Sequence, residues 1–177
     1  MRYNNRPPHF YQDESLYFLA ARTFNNAPYF DSDQKKNIIL MAFSKALEEY
    51  NFRMFAWVIL DNHYHCQVRV EKGTDLSGFI QKIHGLSARN LNKLENASGR
   101  KIWWNYWDKC LNSEKDFWVH FNYIHNNPIK HGYVKNIKGL ASYRFCSYNY
   151  YLKIKSQEWL NSIFAEYPVV DFALDND

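Results

Sequence analysis

Arg53-Met54-Phe55-Ala56-Trp57-Val58-Ile59-Leu60-Asp61-Asn62-His63-Tyr64-His65-Cys66-Gln67-Val68-Arg69-Val70 reads as two β-strands joined by a tight turn. The continuous apolar run from Met54 to Leu60 implies a strand buried on both faces. Asp61 and Asn62 both tolerate positive φ, which suits a two-residue hairpin. In the strand that follows, Tyr64, Cys66, Val68 and Val70 point one way and His63, His65, Gln67 and Arg69 the other. The first set reads as core and the second as a polar working surface. Two imidazoles side by side on that surface are free to hold one divalent metal.

The rest of the chain arranges itself around this hairpin. Leu16 to Thr23 reads as a first strand, and a turn-rich stretch from Asn25 leads into a helix over Asp33 to Tyr50. A second helix is expected from Asp75 to Glu95, with Leu76, Phe79, Ile80, Ile83, Leu91 and Leu94 as its buried stripe. Gly99 to Leu111 is extended, and a third helix begins after Ser113, an N-cap residue followed by Glu114 and Asp116. Pro128 disfavours helical geometry in the residue before it, so that helix is expected to end by Asn127. The order β-α-β-β-α-β, then a helix, is that of a ferredoxin-like α+β sandwich with an antiparallel sheet. One domain is expected over residues 1–150, with 151–177 as an extension ending in the acidic tail Asp171 to Asp177.

Composition narrows the function. The chain of 177 residues suits one domain rather than two. Aromatics make up 19% of it, more than a core of this size needs, so some rings are expected to meet ligand or solvent. A net charge of +4 is compatible with a polyanionic partner. Cys66, Cys110 and Cys146 are scattered and odd in number, which excludes a disulfide framework and a zinc ribbon. No apolar run reaches membrane-spanning length and the N-terminus has no signal-peptide pattern, so a cytoplasmic protein is expected.

On the third helix Phe117, Phe121 and Ile124 form one stripe, and His120, Tyr123 and Asn127 another, more polar one. Packed across the histidine face, that second stripe brings Tyr123 and Asn127 to His63 and His65. His120 on the same stripe suits proton transfer, DNA contact or packing. His125 and His131 fall off this face. Arg69, Lys82, Arg89 and Lys130 are candidate contacts to a phosphate backbone, along with Lys93, Arg100 and Lys101. Trp103, Trp104 and Trp107 are candidates either for stacking on bases or for anchoring an edge strand.

Asn62-His63-Tyr64-His65, followed at this separation by Tyr123-Ile124-His125-Asn126-Asn127-Pro128-Ile129-Lys130-His131-Gly132, resembles the two signatures of the REP-associated tyrosine transposases. These are a branch of the single-tyrosine HUH transposases. Ser142 to Tyr148 resembles the family's tryptophan-serine-serine-tyrosine segment, with Phe145 and Cys146 departing from it, and Trp107-Asp108-Lys109 matches in position. The resemblance covers roughly residues 7–150. It implies that His63, His65 and Asn127 hold Mg²⁺ or Mn²⁺. It implies equally that Tyr123 attacks a DNA phosphodiester, leaving a 5′-phosphotyrosine link and a free 3′-hydroxyl. The implied substrate is single-stranded DNA folded into an imperfect hairpin, handled by a monomer at the bacterial nucleoid. Three other readings remain open from the residues: a catalytically silent hairpin-DNA binder, a relaxase or replication-type nickase, and a phosphohydrolase that uses water.

Overall fold

The structure is a computed structural model, and it describes residues 11–172. Strands β1 (Leu16–Thr23), β2 (Arg53–Ile59), β3 (His63–Arg69) and β4 (Trp103–Leu111) form one antiparallel sheet in the order β2-β3-β1-β4. Helices α1 (Asp33–Tyr50) and α2 (Leu76–Leu94) cover one face, giving the ferredoxin-like arrangement the hairpin implied. Helix α3 (Glu114–Lys130) covers the opposite face, with α4 (Tyr148–Ile154) and α5 (Gln157–Glu166) packed around it. Position 150, the expected domain limit, falls within α4. The acidic tail beyond Phe172 lies outside the described residues. No helix among the described residues is long and apolar enough to cross a membrane.

Each face of the sheet has its own core. Tyr64, Cys66 and Val68 of β3 pack with Phe43, Phe79 and Ile83 beneath α1 and α2. Phe18 of β1, with Ala56 and Val58 of β2, packs with Phe121, Tyr123 and Ile124 beneath α3. The histidine face is therefore not an open working surface: His63, His65 and Gln67 are all buried. Gln67 Nε2 donates to the Phe117 carbonyl at 2.8 Å, tying β3 to the first turn of α3.

Three local expectations are corrected. The turn at Asp61 and Asn62 forms, with Leu60 N–H donating to the His63 carbonyl at 2.9 Å, but neither residue has positive φ. Tertiary contacts hold it instead: Asp61 pairs with the buried Lys36 of α1, and its carbonyl accepts from Phe30 N–H at 2.8 Å. Leu94 is exposed rather than buried, while Ser87 takes a core position by donating to the Ile83 carbonyl at 2.6 Å. Finally, α3 runs through Pro128 to Lys130. Proline removes a single N–H donor there, and the turn is completed beyond it. Tyr133 N–H donates to the Pro128 carbonyl at 2.8 Å, and Gly132 reverses the chain at φ 74°.

The Ser142 to Tyr148 segment serves the edge of the sheet. Cys146 bridges Val58 of β2, Ile59 N–H donates to the Phe145 carbonyl, and Trp57 N–H donates to Ser147 Oγ, the last two at 2.9 Å. Ser147 Oγ also lies 2.7 Å from His125 Nε2, so one hydroxyl joins β2 to α3. Burial lowers His125 to a pKa of about 3, which makes it a neutral packing residue.

Candidate active site at the β3–α3 interface

The register of β3 and the pitch of α3 set two ladders against each other. His65 and His63 are neighbours on β3, their ring centroids 5.1 Å apart. Tyr123 and Asn127 stand four residues apart on the facing side of α3. The Tyr123 ring meets His65 at 5.3 Å between centroids, and Asn127 Oδ1 lies 3.4 Å from His63 Nε2. The expected juxtaposition of Tyr123, Asn127, His63 and His65 is thus present within one chain.

Hydrogen bonds fix what these atoms offer. Asn62 Nδ2 donates to the Asn26 carbonyl, so its Oδ1 is the atom facing His63 Nδ1 at 2.7 Å. That nitrogen must carry the proton, and Nε2 is left with a lone pair in the neutral ring. Asn127 Nδ2 donates to the Tyr123 carbonyl at 2.9 Å, so its Oδ1 is the atom facing His63 Nε2. Two acceptors are therefore aimed at each other across 3.4 Å. A positive charge between them, from a proton or a metal ion, would stabilise such a pair. Neither ring nitrogen of the buried His65 has a hydrogen bond of ordinary geometry among the described residues. Burial holds its pKa well below the usual imidazole value, and the nearby His63, His131 and Lys130 push the same way. Imidazole nitrogens and an amide oxygen are a donor set that fits Mg²⁺ or Mn²⁺. No group of three His, Cys, Asp or Glu residues gathers at metal-binding spacing among the described residues. Beside His63 and His65, the Asn127 amide oxygen is the group that could serve as a third donor.

Around this set lies an aromatic box. Phe18 stacks on His65 at 5.5 Å and meets His120 at 4.8 Å. Phe172 stacks on His120 at 4.2 Å and presents its edge to Tyr123 at 5.0 Å. Tyr123 is only 1% exposed. His120 Nδ1 donates to the Asp116 carbonyl at 2.7 Å, and burial lowers its pKa from the usual imidazole value. Lys130 holds its ammonium 5.6 Å from the Tyr123 ring centre and pairs with Asp171 at 2.8 Å.

The other basic candidates are not gathered here. Arg69 ends β3 at the far end from His63, about 20 Å along the strand. Lys82, paired with Glu49, and the exposed Arg89 both lie on α2, across the sheet from α3. Residues that sequence reasoning passed over come closer. His131 caps α3 with its ring 4.7 Å from His63, and its spacing of four from Asn127 was the available signal. Asn62, inside the first motif, orients His63. Arg22 sits directly opposite His63 in the register of β1 and β3.

The family model described as "Transposase IS200 like" matches residues 13–127. A REP-associated tyrosine transposase of Escherichia coli (strain K12) is 31% identical over 98 residues, covering 54% of this chain and 56% of that protein. A putative REP-associated tyrosine transposase of Haemophilus influenzae is 28% identical over 109 residues, covering 55% and 61%. The chain thus spans less than two thirds of either curated relative. A solved structure of a REP-associated tyrosine transposase bound to a REP hairpin superposes with a TM-score of 0.76 over 98% of both chains, at 21% identity, and shares the fold.

Proposed function

The chain belongs to the IS200-like transposase family, and from that premise we propose that it cleaves and rejoins single-stranded DNA through a covalent bond to Tyr123. The observation that carries this reading is the pair of opposed acceptors, His63 Nε2 and Asn127 Oδ1, beside the buried phenol of Tyr123. Bound there by His63, His65 and Asn127, Mg²⁺ or Mn²⁺ would supply positive charge to a phosphodiester in the transition state.

The chain's own groups do the rest. Tyr123 Oη attacks phosphorus in line with the O3′ of the preceding nucleotide. The phenolic proton departs, the P–O3′ bond breaks, and O3′ takes a proton to become a free hydroxyl. The product is a 5′-phosphotyrosine that keeps the bond energy of the phosphodiester, so a second 3′-hydroxyl can reverse the step and join strands. Asn62 holds His63 in the tautomer that presents Nε2, and Phe18 packs edge-on against the phenol. His120, whose Nε2 has no hydrogen bond among the described residues, is available to exchange a proton within the same box.

The substrate is hairpin DNA of the REP type, as the name of the solved relative's complex suggests. Because His63, His65, Tyr123 and Asn127 all come from one chain, a monomer suffices. Such a substrate places the protein at the bacterial nucleoid.

The test mixes the protein with labelled single-stranded hairpin DNA and Mn²⁺, then resolves products under denaturing conditions. Wild type should give a shifted covalent band, and Tyr123→Phe or added EDTA should abolish it. Cleavage without an adduct would make water the nucleophile. Hairpin binding with neither product would leave a silent binder.

A further inference from the structure

Among the described residues, one edge of the sheet is bridged by a further segment and the other is not. The segment around Cys146 bridges β2, whereas β4 ends the sheet with no further strand among the described residues. Three neighbouring tryptophans on β4 take different roles. Trp103 is buried, stacked on His84 at 4.6 Å and donating Nε1–H to Ser87 Oγ at 2.9 Å. Trp107 is partly buried against Phe18 at 5.9 Å. Trp104 is 50% exposed, alone among the tryptophans in facing solvent this openly.

Trp104 does not stand by itself. The Lys101 ammonium lies 4.0 Å from its ring centre and 5.2 Å from that of Phe24, and the two rings meet at 5.4 Å. Lys101 makes no ion pair among the described residues. Its neighbours are anchored: Arg100 binds Asn92 and Glu95, and the buried Ile102 accepts from Phe24 N–H at 2.7 Å. The cluster therefore sits on anchored backbone, with the Lys101 side chain and the Trp104 indole exposed and Phe24 partly buried beside them. It also lies at the active-site end of the sheet. Trp103 pairs with Thr23, the residue after Arg22, and Arg22 pairs with His63. From Arg22 to Phe24 is about 7 Å along the strand.

We propose that Trp104, Phe24 and Lys101 form a subsite for an unpaired nucleotide of single-stranded DNA flanking the hairpin. The base stacks on the Trp104 indole and the neighbouring phosphate meets Lys101. Arg22, on the face and register of His63, takes the next phosphate towards the reacting centre. An exposed indole beside a cation with no ion pair among the described residues is the chemistry that recognises a base and its phosphate together, without reading sequence. This inference rests on the DNA-processing role proposed above.

Three probes separate the two readings: a blunt DNA hairpin of the host's own palindromic repeat, the same hairpin with ten-thymidine single-stranded flanks, and the ten-thymidine strand alone. Binding is read by fluorescence polarisation for wild type, Trp104→Ala and Trp104→Phe, with thermal unfolding as a check on folding. Wild type should bind the flanked hairpin more tightly than the blunt one. Trp104→Ala should weaken flanked binding about 5- to 100-fold and leave blunt binding unchanged, and Trp104→Phe should restore most of the loss. An unchanged benefit from the flanks in Trp104→Ala, or an equal loss on both hairpins, overturns the subsite. Wild type binding the thymidine strand through Trp104 but no hairpin would keep the subsite and sink the hairpin substrate. Wild type binding none of the probes would overturn both.

Discussion

Replacing Phe172 by alanine should make Tyr123 react faster. The phenol is buried, yet it must reach phosphorus, so whatever lies on it has to move before the chemistry. Phe172 contributes to that cover through a stack on His120 at 4.2 Å and an edge contact with Tyr123 at 5.0 Å. Aromatic pairs of this kind contribute about 0.5–1.5 kcal/mol each, so the two together hold the segment down by roughly 1–3 kcal/mol. The Asp171–Lys130 pair adds little, because the Asp171 side chain is 73% exposed and solvent screens it. If closure is favoured by that amount, the open form is populated at about one part in 5 to one in 100, and the observed rate falls by the same factor. Phe172→Ala should therefore raise the single-turnover rate of adduct formation by about 5- to 100-fold, measured with Mn²⁺ and saturating hairpin DNA. Asp171→Ala should change it by less than about 5-fold. Tyr123→Phe combined with Phe172→Ala should give no adduct, which separates release of the phenol from a new nucleophile. A Phe172→Ala rate equal to or below that of wild type would refute the cover.

Two further perturbations address the site and the frame behind it. Asn62→Ala removes the acceptor that fixes the His63 tautomer, so Mn²⁺ affinity measured by calorimetry should fall about 10- to 100-fold with the fold intact; unchanged affinity would show that Asn62 does not orient the ligand. His125 is neutral in the folded state, with a pKa of about 3, whereas in the unfolded chain it titrates near 6.5. The unfolded state therefore binds the extra proton, and stability present above pH 6.5 is lost progressively as pH falls towards 3. At pH 5 the loss from this residue is roughly 2 kcal/mol. Burial lowers His84 too, although part of its surface meets water, so it adds in the same sense to a smaller extent. Urea unfolding at pH 7.5 and pH 5 should show His125→Gln losing about 2 kcal/mol less than wild type. Equal losses would mean that His125 takes up its proton to the same extent in the folded and unfolded chains.

What could be read in advance followed from local chemistry. Period-two alternation placed His63 and His65 on one face of β3, and period-3.6 spacing placed Tyr123 and Asn127 on one side of α3, because each pattern is a property of a single element. The meeting of the two ladders needed only the inference that α3 crosses the histidine face. What stayed hidden depends on more than one element at once. Lys82 and Arg89 looked equivalent to Lys130 as positive charges, but α2 and α3 lie on opposite faces of the sheet, and charge alone does not say which. The turn at Asp61 and Asn62 owes its shape to Lys36 and Phe30, which are distant in sequence, and not to left-handed backbone. Helix α3 passes its proline because the groups after it satisfy the last turn, a property of residues 131–134 rather than of Pro128. That extra turn has a consequence for the site. It carries Lys130 over the Tyr123 ring and His131 to within 4.7 Å of His63. A helix stopping at Asn127 would have left both side chains on a loop. The proline that seemed to end the helix instead sits inside the turn that delivers two more cationic or proton-bearing groups to the edge of the reacting centre.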